Sequence, residues 1–188
     1  MSFNINEFYS ALQFGGARPN LFDVIITWPG GAFNDIQFLC SATSIPGATL
    51  NTIPRHYFGR ELKFAGNRTF EDWTVTIVND EDYEIRDGME ALSNSLNDFE
   101  FNVRESGRVQ TNTYKGMGTV THYGKTGDLI RRYELRGLMP TTISPMTVDW
   151  QTDEIQTFDV TFSMDYWVII GNANAAGNLL TRPVPFRN

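Results

Sequence analysis

Cysteine is all but absent from this chain of 188 residues: Cys40 stands alone, so no disulfide can form within it. Packing and interfaces have to hold the fold, which suits assembly in a reducing cytoplasm. Long apolar runs are missing as well, and none approaches the roughly 18 residues of a membrane helix. The opening residues, MSFNINEFYSALQF, have neither the basic start nor the continuous apolar stretch of a signal peptide, so a soluble, unexported chain is expected. Positive charge is in deficit, because 15 Lys and Arg face 22 Asp and Glu to give −7. That balance repels a phosphate backbone and argues against a protein that coats DNA.

What is there is apolar and aromatic. With 41% hydrophobic and 13% aromatic residues the chain can bury one sizeable core, and its length fits a single domain. Ile5, Phe8 and Leu12 recur at helical spacing behind Asn4 and predict a short helix over residues 5–13. From Arg18 the period becomes two. Phe22, Val24 and Ile26 alternate with Asp23, Ile25 and Thr27, and the turn Pro29-Gly30-Gly31 leads into Ile36, Phe38, Cys40 and Ala42, which reads as a hairpin. The segment from Thr49 to Gly66 carries Arg55, His56, Tyr57, Phe58, Arg60, Lys63 and Phe64, and is expected to project from the core.

Trp73, Val75 and Ile77 alternate with Thr74, Thr76 and Val78 in a strand that suits the middle of a sheet. Asn79 or Asp80 then caps a helix whose first turn holds Glu81, Asp82 and Glu84, beside the positive end of the dipole. Its stripe of Ile85, Met89, Leu92 and Leu96 would seat it on the sheet. Ser106 to Gly127 holds five glycines and reads as a mobile loop or a long twisted hairpin rather than packed core. Leu129 to Arg136 is a strand whose Arg131, Arg132, Glu134 and Arg136 are too many charges for a monomer interior. The clearest alternation lies at Thr157 to Asp165, with Phe158, Val160, Phe162 and Met164 on one face and Thr157, Asp159, Thr161, Ser163 and Asp165 on the other. Val168 to Asn188 has no acidic residue and no clear period, and is expected to be extended or disordered in isolation.

Chemistry finds little foothold, and no catalytic, cofactor-binding or metal site is expected. His56 and His122 have no cysteine or carboxylate at ligand spacing. Cys40 lies on the apolar side of its segment, where a buried thiol is inert. Neighbouring Glu71 and Asp72 point oppositely on a strand, which suits no acid pair. The sequence KGMGTV lacks the third glycine and the lysine-serine pair of a phosphate loop. Trp28, Trp73, Trp150 and Trp167 fit a core or a subunit interface better than stacking on sugars or bases.

Six blocks in order carry a resemblance: ARPNLFDV (residues 17–24), FLCSATSIPG (38–47), AGNRTFEDWTVTIVND (65–80), RGLMPTTI (136–143), VDW (148–150) and EIQTFDVTFSMDYW (154–167). Together they resemble the tail tube proteins of contractile-tailed bacteriophages. The resemblance implies a mainly β fold, a β-sandwich or barrel with one packed helix, over residues 1–167, with an N-terminal helical arm and an extension at 168–188. It implies a structural virion protein and no enzyme: hexameric rings, their sheets joined across subunits into one barrel, stack into a tube that conducts viral DNA without specific binding. The implied partners are other copies, the tail sheath, the baseplate and the tail terminator, with no membrane, in a virion tail assembled in the host cytoplasm. Arg55, Tyr57, Phe58 and Arg60 are implied for contact between rings, and Asp159 and Asp165 for the lumen wall, or for an outer face under the sheath if the sheet order differs. A baseplate hub, a tail terminator, or the tube of a protein-secreting contractile injection system stays open beside this reading.

Overall fold

The structure, a computed structural model, describes residues 5, 10, 16–29, 31–32, 36–151 and 153–172. The helix expected over 5–13 lies outside the described residues apart from Ile5 and Ser10, as does the tail from 173 onward.

Strand period decides the body. β1 (Phe22–Trp28) buries Val24, Ile26 and Trp28, β6 (Trp73–Val78) buries Trp73, Val75 and Ile77, and β9 (Thr157–Ser163) buries Phe158, Val160 and Phe162. With β2 (Gly31–Ala32), β3 (Cys40–Thr43), β7 (Gly116–Tyr123) and β8 (Leu129–Ile143) they form one path, β2-β1-β7-β8-β9-β6-β3, and β10 (Tyr166–Asn172) also pairs with β8. All pairings are antiparallel. β8 belongs to two sheets: its first half pairs with β7 and β10, and its second half with β9.

The switch between sheets sits at Gly137. Before it Tyr133 and Leu135 face the core, and after it Leu138 and Pro140 do, so the side-chain parity shifts by one. Gly137 has φ 72, and the register of β8 on β7 slips there, which is the geometry of a glycine bulge. The bulge turns the strand so that one sheet folds over the other. Trp28 of the first sheet and Trp73 of the second then both meet Phe162, with ring centroids 5.8 and 5.5 Å apart. Each fully buried Val, Ile or Phe here contributes about 1.5–3 kcal/mol.

The helix α2 (Glu84–Leu96) packs Ile85, Met89 and Leu92 into the same core, and Leu96 is buried as well, as the stripe predicts. Its start differs from expectation. Asp80 Oδ1 accepts from the Glu81 amide at 2.8 Å and the Tyr83 amide donates to Asp80 O at 3.1 Å, so residues 80–83 form a turn. Tyr83, at φ 55, is the residue before the helix, and Glu84 and Asp87 occupy the first turn.

Three further expectations are corrected. Ile36–Leu39 is a short helix, α1, and β3 pairs with β6, so the return strand of β1 is only Gly31–Ala32. The region from Ser106 is no mobile loop: after a 3-10 turn at Ser106–Arg108 and a short α3 (Thr111–Tyr114), β7 forms the long hairpin of the alternative expectation with β8, but it runs buried between β1 and β8 as part of the core. Its glycines answer a need for space, since a Cβ on Gly118 would lie 2.8 Å from Leu138 and 3.1 Å from Trp73. Finally, β10 runs through the domain boundary expected at residue 167. Val168 and Ile169 pair with Glu134 and Tyr133, so the ordered sheet continues to Asn172.

Candidate functional site

β4 (Ala48–Tyr57) and β5 (Arg60–Phe70) form a two-stranded sheet of their own, joined by Phe58 and Gly59. Both turn residues have positive φ, 45 and 75, as a two-residue hairpin turn of matching twist requires. Pro54 fits in β4 because a two-stranded ribbon has open edges where its missing N–H is not needed. The ribbon is tied to the body at its base, where the Glu71 amide donates to Gly47 O at 3.3 Å and Phe70 meets the ring of Trp167 at 6.1 Å.

Its pairing sorts its side chains. Tyr57 pairs with Arg60, Arg55 with Leu62 and Ile53 with Phe64, so these six share one face. His56, Glu61, Pro54, Lys63, Thr52 and Ala65 share the other. The first face is apolar with two guanidinium groups set in it, yet Tyr57 is 67% exposed, Phe64 55% and Leu62 52%. At the tip Phe58 is 90% exposed and meets Tyr57 edge to face, 4.6 Å between ring centroids. The structure therefore brings Arg55, Tyr57, Phe58 and Arg60 together at one projecting end.

Asp159 and Asp165 are not brought together. Asp159 lies on the outer face of β9, where Thr76 Oγ1 donates to it at 2.6 Å, among Thr74 and Thr161, whose hydroxyls are 3.3 Å apart. Asp165 lies past β9 in the bend toward β10, and Lys115 Nζ donates to it at 2.5 Å, so its charge is compensated within the subunit. Of the charges of β8, Arg131 shares the side of Tyr133 and lies 5.4 Å from its ring centre, whereas Arg132, Glu134 and Arg136 lie on the outer face of the first sheet, where Arg136 donates to Glu134 and, at 3.3 Å, to the Tyr166 hydroxyl. Those two bonds, the Tyr166 one first, hold the guanidinium above its ordinary pKa.

Cys40 is half-buried, and burial pushes its thiol up to about 11, which keeps it protonated and unreactive near neutrality. Among the described residues no group of three or more His, Cys, Asp or Glu is placed to hold a metal. Of the tryptophans, Trp28 and Trp73 are core and Trp167 packs on Tyr133 at 5.6 Å, but Trp150 is fully exposed with Val148 and Ile155 in the loop between β8 and β9.

The body has two distinct ends. β6 and β9 pair Trp73 with Phe162 at one end and Val78 with Thr157 at the other. The hairpin leaves beside Trp73. The loop 144–156 and the start of α2 leave from the Val78 end, linked by the Asn79 amide to Gln156 O at 2.8 Å and by the Tyr83 hydroxyl to Gln156 at 3.2 Å. There a cleft of about 240 Å³ opens, floored by Leu39, Val78 and Ile85 and rimmed by Asp80, Asp82 and Glu84. Sequence reading saw these carboxylates as a helix cap and missed the cleft, because its floor joins α1, β6 and α2 from three separate stretches.

A family model described as phage tail tube protein matches residues 17–170, which span nearly every described element. The chain belongs to the phage tail tube protein family. The tail tube protein gp19 of Enterobacteria phage T4 is 37% identical over 153 residues, covering 80% of this chain and 90% of its own length. The tail tube protein gp19 of Enterobacteria phage T6 matches to the same extent. Solved structures share the tail tube fold at lower identity. A chain of the extended sheath–tube complex of an extracellular contractile injection system aligns with TM-score 0.59 at 15% identity, covering 90% of this chain and 99% of that one. A chain of the anti-feeding prophage baseplate aligns with TM-score 0.64 at 12% identity, covering 83% of this chain and 96% of that one.

Proposed function

We propose that this tail tube family member is the structural subunit of the inner tube of a contractile phage tail. Copies close into six-membered rings whose sheets join across subunits into one barrel, and the rings stack into a tube. The observation that carries this reading is the projecting hairpin, whose apolar face bearing Tyr57, Leu62 and Phe64 stays more than half exposed among the described residues. Open sheet edges support ring closure, since among the described residues β3 and β10 each have a partner on one side only, and closing a barrel removes such edges.

Arg55, Tyr57, Phe58 and Arg60 make the contact between rings. Asp159, on its hydroxyl-rich strand face, is the lumen carboxylate, and Asp165 plays a lesser part because Lys115 pairs with it. An acidic wall lets DNA pass, since attraction to phosphates would arrest it. The role is structural and not catalytic, the tail sheath, baseplate and terminator are the further partners, and the tube is assembled in the host cytoplasm. Likeness to the anti-feeding prophage baseplate and to its tube-terminating cap favours a second reading, a hub or terminator that keeps the ring but does not propagate it.

Negative-stain electron microscopy across a concentration series tests the choice. Hollow tubes or stacked six-fold rings are expected. Single rings at every concentration would transfer the assignment to a terminator, and a persistent monomer would overturn the self-assembling reading.

A further inference from the structure

Resting on the hairpin reading above, we propose where the hairpin goes: Phe58 of one copy seats in the acidic-rimmed cleft at the start of α2 of the next copy, with Arg55 and Arg60 against its carboxylates.

Three observations converge on this pairing. The first is place: β6 spans six residues between the two ends, so hairpin and cleft leave the body about 17 Å apart and in opposite directions. A plug and a socket at opposite ends fit only between two copies arranged head to tail.

The second is charge. The hairpin holds Arg55, Arg60, Lys63 and Arg68 against Glu61 alone, a net of three positive charges. Residues 79–85 and 144–156 hold Asp80, Glu81, Asp82, Glu84, Asp149, Asp153 and Glu154 with no Lys or Arg, a net of seven negative charges. A chain that carries −7 overall thus places four of its 15 Lys and Arg on one projecting element and seven of its 22 acids at the far pole. Opposite patches of this kind steer approach and fix register.

The third is shape and chemistry at the point of contact. An aromatic ring needs an apolar floor, and Leu39, Val78 and Ile85 supply one in a cleft of about 240 Å³. That is ample for a phenyl ring, because a protein cavity of about 150 Å³ binds benzene. Phe58 is held at φ 45, where a bulky residue is disfavoured and Asn is the usual choice for such a turn. Its ring is presented outward at a backbone cost, as expected of a residue whose partner lies outside the subunit. Two guanidinium groups beside it match the carboxylate rim, where each gains charge-assisted hydrogen bonds once water is excluded.

Charge reversal with complementation tests the pairing in the full chain. One variant carries Arg55→Glu and Arg60→Glu, the other Asp82→Arg and Glu84→Arg. All four side chains are exposed, and circular dichroism of each variant checks its fold. Each variant alone is expected to lose tubes about tenfold or more, because like charges then meet. Mixing the two in equal amounts restores tubes, since each hairpin now finds an opposite rim, and a chain carrying all four changes assembles by itself. The socket is wrong if the Asp82/Glu84 variant polymerises like the wild type while the hairpin variant does not, and hairpin stacking then stands with another receptor. Polymerisation of the hairpin variant at wild-type yield would remove the hairpin from stacking altogether. A wild-type chain that stays monomeric throughout overturns both.

Discussion

β6 and β5 are built from similar material and meet opposite fates. Both are strands with apolar residues at every second position, Trp73, Val75 and Ile77 in one and Leu62 and Phe64 in the other. In β6 those residues are fully buried because β9 and β3 flank it and the first sheet lies above it. In β5 they remain about half exposed because, among the described residues, β4 is its sole strand neighbour. Alternation therefore states that a face seeks cover, and the chain alone does not state whether the cover comes from within. The body buries its apolar faces in folding, whereas the hairpin face is covered only in the assembly proposed above.

If that division is right, substitutions in the two regions separate stability from assembly. The largest effect is expected from Trp73→Ala, which removes a fully buried ring touching Phe162 and should cost about 3–5 kcal/mol in urea unfolding. A smaller loss is expected from Gly137→Ala. A methyl group there would collide with the Asp165 carboxylate on a backbone at φ 72, so about 1–3 kcal/mol should vanish from the same measurement.

In the hairpin the sign reverses. Phe58→Asn relieves the turn and should raise the melting temperature of the unassembled subunit by about 2–4 °C, for a gain of about 1 kcal/mol, while tube yield falls. A melting point that drops would show that Phe58 packs within its own subunit and would break the comparison. Phe64→Ser should leave subunit stability within about 0.5 kcal/mol and still reduce assembly.

Cys40 gives the finest probe of the body. Burial raises its folded pKa to about 11 from an ordinary 9.0, so its contribution to stability is full below pH 9.0 and falls as pH climbs toward 11. Alkylation at pH 9 should be slow in the folded chain and fast in urea. Equal rates would mean the thiol is not shielded.

Much of this was legible from the chain. The alternations at Phe22–Trp28, Trp73–Val78 and Thr157–Ser163 and the stripe of α2 need only local periods, and each element folds accordingly. The projecting hairpin was legible too, as aromatic and basic residues crowded together just after Pro54. What local reading missed depends on distant partners. Gly116 and Gly118 resemble loop residues until Trp28, Trp73 and Leu138 are packed against them. Cys40 and Ala42 read as the return strand of β1, yet their partners Ile77 and Thr76 lie some 35 residues on. Trp150, for which core and subunit interface were both open, is exposed and so is not core. The cleft was invisible because three elements far apart in sequence form its floor.

The placement of hairpin and cleft at opposite ends of β6 and β9 also sets a direction. In the assembly proposed above every copy points the same way, and the two tips of the filament are chemically unlike: one shows bare aromatic prongs and the other vacant acidic notches. Nothing in the repeating contact limits how many copies join. Whatever starts the filament therefore has to recognise one tip, whatever ends it has to recognise the other, and its length has to be measured by something other than the subunit itself.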